Sequence, residues 1–331
     1  MAKSKITFKN GDVYVGEAAN GLPHGNGVYT FANGDVYEGQ HFDGYPWGKG
    51  VITFTNGQRY EGPVVKGRAT GRGKFILENG DVYIGDVKKG KFHGQGKYYD
   101  QEGTHLMYDG SWKNDERHGR GTEYCDDGEK YVGKFKKGNR HGKGKIYYPD
   151  GDHFKTYEGR FVYGEAKGRG VRTYSNGMTI KATYNGEDVK TNRRIEWTHA
   201  DGDSFVGTVT EDGEFIRGKR TTPEGEWYDG DWKDFKPHGR GRWHYLSGNE
   251  YDGEFANGAR NGYGTMKYKD GDKLVSNWKN DIPLGKHTYY WANGDRREGE
   301  YFADGTASGK VYYADGSTGY GRWDKDGKPV N

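Results

Sequence analysis

The sequence predicts an all-β fold: an elongated, twisted, single-layer antiparallel β-sheet solenoid of about fourteen hairpin repeats, with an aromatic and glycine-lined groove on one face. Three observations predict it. A Tyr-x-Gly pattern returns with a period of 23 residues, which is the mark of one small unit copied end to end. An Asn-Gly or Asp-Gly joins most units to the next, as hairpin turns require. The chain also carries 28 Tyr, 14 Phe and 9 Trp beside 59 Gly, a pairing of bulky rings with backbone that bends or comes close. The apolar fraction of 31% is low for a globular protein, but half of it is aromatic, which argues against disorder.

The elements follow in chain order. Residues 1–13 form a leading half-unit, with Ile6 and Phe8 standing where Tyr29 and Phe31 stand one period later. Unit starts then fall at Tyr14, Tyr37, Tyr60, Tyr83, Tyr108, Tyr131, Tyr157, Ile180, Phe205, Tyr228, Tyr251, Leu274, Arg297 and Gly319. Nine of the thirteen intervals are 23 residues and the others are 25, 26, 25 and 22, which places insertions at "THLM" (104–107), "DHFKT" (152–156) and "HADGDS" (199–204). The whole chain, 1–331, reads as one continuous array: regular repeats over 14–179, degenerate ones over 180–227, regular again over 228–273 and degenerate from 274 to 331.

Each unit reads as two short strands, "DVYEGQH" and "GKGVITF" in the unit of Tyr37, separated by a glycine-containing loop. A two-residue turn between units would put Tyr29 and Tyr37 on opposite faces. A three-residue turn, Ala32-Asn33-Gly34 with the glycine left-handed, pairs Tyr29 with Tyr37 and Gly27 with Gly39, and is the turn expected because it gathers the repeated aromatics on one face. The glycine two residues after the tyrosine, present in twelve of the fourteen units, leaves room for the neighbouring ring to lie flat and lets the sheet twist and curve. Ala182 and Ser276 are the exceptions. Stacking about 28 strands at ~4.8 Å gives a rod on the order of 130 Å long.

Units such as "YEGQHFDGYPWGKGVITFTNG" (37–57) and "YVGKFKKGNRHGKGKIYYPDG" (131–151) resemble MORN repeats, the membrane occupation and recognition nexus motif. The resemblance covers essentially the whole chain and weakens in the units of Ile180 and Phe205 and from Leu274 onward. It implies a non-enzymatic scaffold in cytoskeletal, ciliary or cortical assemblies, docking other proteins. The name of the motif also suggests the alternative, a peripheral membrane module that binds anionic lipids or phosphoinositides.

Chemistry-bearing motifs are sparse. His24, His93, His118, His141 and His238 recur ten residues after the unit start, but successive units hold them roughly 10 Å apart, too far to share an ion. Trp47, Thr70, Lys167 and Asn261 occupy the same place in sister units, so loop packing is the reading for this row. "GNRHGKG" and "GYPWGKG" lack the spacing of a phosphate loop. No cofactor or metal is expected. Family members that carry an enzyme hold it in a separate domain, and here eight residues follow Trp323, so no catalytic role is expected either.

A formal charge of +3 on 51 basic and 48 acidic residues argues against nucleic acid as a partner. The single cysteine, Cys125, allows no internal disulfide, and no signal-like or membrane-spanning apolar run is present, so a cytoplasmic location is expected. Lys130, Lys134, Lys136, Lys137, Arg140, Lys143 and Lys145 form the densest basic stretch and are the candidate contacts to an anionic partner or lipid surface. Tyr14, Tyr29, Tyr37, Tyr60, Tyr83, Tyr108, Tyr131 and Tyr157 are the candidate groove aromatics, where an extended peptide or a helix would dock. Tyr320 and Trp323 lie in what is expected to be an open C-terminal edge strand, suited to a homodimer or a heterologous contact.

Overall fold

The computed structural model describes residues 3–101, 103–190, 193–210, 214–325 and 327–330, so the first two residues of the leading half-unit lie outside the described set. It is all-β, with no helix among the described residues. The chain divides into two compact units, Met1–Gly168 and Arg169–Asn331, and the strand Glu165–Tyr174 carries it from one to the other.

Each unit is a meander in which strands pair antiparallel with their neighbours in sequence, in a single layer. The expected turn is present. The Phe31 N–H donates to the Asp35 carbonyl (2.8 Å) and the Gly34 N–H to the Phe31 carbonyl (2.9 Å), enclosing Ala32-Asn33-Gly34, with Gly34 at φ +91°. Tyr29 then faces Tyr37 and Gly27 faces Gly39. Left-handed backbone at this place is worth a test. Gly57 has the same role at φ +87° and a Cβ there would touch nothing. Gly57→Ala is expected to cost about 1 kcal/mol from backbone strain alone, read as a shift of the urea midpoint at constant slope.

Because every turn keeps this register, one line of cross-strand partners crosses the first unit: Ile6, Tyr14, Tyr29, Tyr37, Ile52, Tyr60, Phe75, Tyr83, Tyr98, Tyr108, Glu123, Tyr131, Ile146 and Tyr157. Ile6 opposite Tyr14 makes the first residues the half-unit the sequence predicts. Glu123 is the only charge in this line.

One insertion lies elsewhere than expected. The turn at His199 is the ordinary three-residue one, with the His199 N–H on the Asp203 carbonyl at 2.8 Å and Gly202 on His199 at 3.1 Å. Ile180 faces Trp197 and Tyr184 faces Val189, so the two extra residues of this repeat fall between Val189 and Arg194. Residues 191 and 192 in that stretch lie outside the described residues. The other two insertions do lengthen turns between units, which are closed by the Asp100 N–H on the His105 carbonyl at 3.1 Å and the Tyr148 N–H on the Lys155 carbonyl at 3.2 Å.

Candidate functional site

The tyrosine face is built from a bulge and its repair. In the unit of Tyr14, Gly16 faces Gly27, but Ala18 faces Pro23, so three residues of the second strand stand opposite Glu17 alone. Such a bulge leaves a ladder carbonyl without its strand partner. In the units of Tyr14, Tyr37, Tyr60, Tyr83, Tyr108, Tyr131, Tyr228 and Tyr251 the tyrosine supplies one. Tyr37 Oη donates to the Gln40 carbonyl at 2.9 Å, Tyr83 Oη to Asp86 at 2.7 Å, Tyr131 Oη to Lys134 at 3.0 Å and Tyr228 Oη to Asp231 at 2.9 Å, always three residues on. To reach that carbonyl the ring must lie across the paired glycines, and a Cβ on Gly110 would sit 2.7 Å from Tyr108 Oη and 2.5 Å from the Gly121 Cα. The ring that the glycine accommodates is its own unit's and not the neighbour's. Burial pushes the hydroxyls of Tyr37, Tyr60 and Tyr131 up to about 12, so they stay protonated donors at any physiological pH.

Four residues after each tyrosine stands a second side chain on the same face. Trp112, Phe135 and Phe161 meet the tyrosines edge-on in a zigzag: Tyr108–Trp112 at 5.1 Å, Tyr108–Phe135 at 5.1 Å, Tyr131–Phe135 at 5.2 Å and Tyr131–Phe161 at 5.0 Å, all within 10° of perpendicular. Each ring thereby locks the next unit to its own, at about 0.5–1.5 kcal/mol per contact beyond burial. Tyr228, Trp232, Phe255, Tyr251 and Trp278 repeat the zigzag in the second unit. The sequence signal for this second column, an aromatic at the fifth place of "YDGSW" or "YVGKF", was not used above.

These contacts consume the predicted groove aromatics. Tyr14, Tyr37, Tyr60, Tyr83 and Tyr131 are 0% exposed and Tyr29 8%, while Tyr108 and Tyr157 are equally buried. The exposed surface of this face therefore comes from the side chains around the tyrosine rings and not from the rings themselves. In the first unit that surface opens into a concavity of about 680 Å³ lined by Tyr98, Tyr108 and Trp112, with Arg117 and Glu123 set among the rings.

Arg140 belongs to this polar knot and not to a basic surface. Its Nε donates to Glu123 at 2.6 Å and its Nη1 to Glu129 at 2.6 Å, and its guanidinium lies 4.9 Å above the Tyr131 ring. Arg117 pairs with the other oxygen of Glu123 and lies over Phe135 at 5.5 Å. Burial opposes the Arg140 charge, but the carboxylates of Glu123 and Glu129 outweigh it and raise its pKa. The seven-residue basic stretch is therefore split. Lys134, Lys136 and Lys143 are exposed on the opposite face and Lys137 sits in a left-handed turn, whereas Lys130 and Lys145 are half-buried over the Tyr147 ring at 4.7 and 5.2 Å, and Lys145 also pairs with Glu158 at 3.5 Å.

At the other end, the C-terminal edge is partly covered. Pro329–Val330 folds back so that Val330 faces Arg322 and Pro329 faces Trp323. Trp323 is half-buried beneath the Arg297 guanidinium at 4.1 Å, while Tyr320 is 73% exposed on the other side of the strand. Arg297 takes the tyrosine's place in its unit. Its Nε donates to His287 Nε2 at 2.8 Å and its Nη2 to Tyr301 Oη at 3.1 Å.

This pair makes stability depend on pH. Burial, with Arg297 beside it, pulls His287 down to about 4 from its ordinary 6.5. The unfolded chain binds the proton first, so the contribution is intact above pH ~6.5 and is lost as pH falls toward 4. Between pH 7 and pH 5 urea titrations are expected to show a loss of about 2 kcal/mol, and His287→Gln is expected to remove that part of the slope.

Among the described residues no group of three or more His, Cys, Asp or Glu side chains is placed to hold a metal ion. The repeat unit is the one a family model describes as MORN repeat, which matches residues 14–36, 37–59, 60–82, 83–105, 108–130, 131–153, 157–179, 228–250, 251–273 and 275–296. Residues 180–227 are not matched. No curated protein matches the chain. Among solved structures, a point mutant of the TCP10 domain of Danio rerio CPAP is 15% identical, with 85% of this chain and 96% of that one covered and a TM-score of 0.22. The SAS-4 (dCPAP) TCP domain of Drosophila melanogaster, in complex with a proline-rich motif of Ana2 (dSTIL), is 13% identical over 70% of this chain and 90% of that one, with a TM-score of 0.25. Scores this low carry no inference about the present chain.

Proposed function

The chain belongs to the MORN repeat family, and from that premise we propose that it is a scaffold that binds other proteins along its tyrosine face, without catalysis of its own. The observation that carries the reading is the concavity at Tyr98, Tyr108 and Trp112. Its aromatic walls suit the apolar side chains of an extended segment or a helix, and Arg117 and Glu123 offer polar contacts at its centre. A cytoplasmic setting on the cytoskeleton, a cilium or the cell cortex is part of the same proposal.

The test is selection of binding peptides from a displayed random library against the full chain. Selected peptides are expected to slow hydrogen exchange across residues 98–138 and to lose about tenfold or more in affinity for Arg117→Ala, a change at the centre of the concavity that removes no ring of the zigzag. Binders that protect another surface, or that tolerate Arg117→Ala, would remove the groove from the proposal.

A second reading, an anionic-lipid contact, draws on the exposed Lys134, Lys136 and Lys137. With a near-balanced surface around them, binding to phosphoinositide vesicles is expected to be weak and to vanish at moderate salt, because exposed charges are screened beyond ~10 Å at 0.1 M. Salt-resistant, submicromolar binding that is lost on neutralising those lysines would put this reading first.

A further inference from the structure

On the face opposite the tyrosines, two rows of side chains run across the strands of the first unit, and they treat charge differently. One row is zipped by cross-strand ion pairs: Lys97 with Asp109 at 3.3 Å and Lys145 with Glu158 at 3.5 Å. In the row beside it, the residue three places after the tyrosine faces the residue twelve places after the preceding one. There Arg72 faces Asp86, and in the second unit Arg217 faces Asp231 and Arg240 faces Glu254. Several other facings in this row hold at most one charge, as where Lys49 faces Pro63 and Arg194 faces Thr208, and among the described residues like charges meet in it only over the strands from Glu116–Tyr124 to Phe154–Val162. Arg120 faces Lys134 and Lys143 faces Arg160, four exposed cations on four successive strands. None of the four has an ion pair or a side-chain hydrogen bond among the described residues, and like charges directly opposite destabilise a sheet.

A second difference lies at the same place. In other units the side chain opposite the bulge accepts from the backbone N–H across it: Glu17 from Asn26 at 3.0 Å, Gln40 from Lys49 at 3.1 Å, Asp86 from Gln95 at 2.8 Å and Asp231 from Arg240 at 3.2 Å. Lys134 stands at that position opposite Lys143, and an ammonium has no acceptor to give. The chain has put a donor where these four sister units keep a carboxylate or an amide oxygen.

We propose that Arg120, Lys134, Lys143 and Arg160 form a docking stripe for an acidic peptide segment, whose Asp or Glu carboxylates stand in for the acceptors these units lack. The stripe is one residue wide and spans about 14 Å, the length of a run of four or five extended residues. On one side it is bounded by the row that holds Asp109 and Glu158, and beyond that by the turn with Asp126 and Asp127. A membrane surface or a nucleic-acid duplex is broad enough to meet those acids as well, whereas a single acidic strand is not. The surface lies on the face away from the groove and stands or falls apart from it.

The experiment is fluorescence anisotropy of the full chain with a labelled peptide of about ten Glu residues, against a Gln peptide of the same length, with anionic and neutral vesicles in parallel. The wild type is expected to bind the Glu peptide at least about tenfold more tightly than the Gln peptide. The variant Arg120→Gln/Lys134→Gln/Lys143→Gln/Arg160→Gln is expected to lose that preference while melting at the same temperature or higher, since facing like charges are removed. The control Lys97→Gln/Lys113→Gln, which removes cations outside the stripe, is expected to keep it. Retention of the preference by the quadruple variant, its loss in the control, or anionic-vesicle binding that depends on the four cations without any preference for the Glu peptide would each overturn the proposal.

Discussion

Gly110→Ala is expected to destabilise the first unit by about 3 kcal/mol or more, well beyond the ~1 kcal/mol expected of a turn glycine. The added Cβ would lie 2.5 Å from the Gly121 Cα and 2.7 Å from the Arg120 carbonyl oxygen, which are backbone atoms of the facing strand and cannot swing aside. Relief requires that the strands part and that the Tyr108 ring leave its glycine bed. The ring then gives up its hydrogen bond to the Ser111 carbonyl (3.0 Å) and its contacts with Trp112 and Phe135. Urea denaturation followed by tryptophan fluorescence measures the loss, and hydrogen exchange should place it in the strands Leu106–Lys113 and Glu116–Tyr124 before their neighbours. A cost equal to that of Gly57→Ala would mean that the ring does not need the glycine pair.

Arg140→Ala is the second large effect, expected at about 3–5 kcal/mol. Truncation leaves Glu129, mostly buried, without its guanidinium and Glu123 with Arg117 alone, and opens a void over Tyr131. The size of the loss reflects a stranded charge more than the worth of the pair. Replacing the whole knot with apolar residues is therefore expected to recover most of it: Arg117→Leu, Glu123→Ile, Glu129→Leu and Arg140→Leu together strand no charge, and Glu123→Ile restores the line of apolar cross-strand partners in which Ile52 and Ile146 already stand. A quadruple variant as unstable as Arg140→Ala would show that the knot holds the hairpin by its hydrogen bonds.

How much of this was legible in the sequence varies with the residue. The turn Ala32-Asn33-Gly34 was, because a side-chain period of two and a demand for one aromatic face leave a single register. The glycine after each tyrosine was read as space for the neighbouring ring, but that the ring is the unit's own, and why tyrosine stands there in place of phenylalanine, depend on the bulge at Glu17 and Lys134, which no local pattern announces. The tyrosines were read as the contact surface of a groove, whereas their rings are buried, since burial in a one-layer sheet arises when rings from successive units close over one another. The basic stretch misled for a simpler reason. Lys134, Lys136 and Arg140 were counted along the chain, although strand alternation already assigns Arg140 to the face of Tyr131 and the lysines to the other. Arg120 and Arg160, which complete the cationic row, lie outside that stretch and are joined to it only by register. The return of Pro329–Val330 onto Trp323 had no counterpart in the repeat at all.

The pairing of each strand with the one made just before it has a consequence for synthesis. On the ribosome a strand of either unit never waits for a distant partner, so hairpins can close one after another as the chain emerges, at the low cost of short loops. The same order of events means that the newest hairpin presents an unpaired edge until its successor arrives. Neighbouring nascent chains on one message hold identical strands, and such an edge can accept them in place of its own next strand. Translation that pauses within a unit lengthens that exposure, whereas a pause at a turn such as Ala32-Asn33-Gly34 leaves a finished hairpin and only its outer edge at risk.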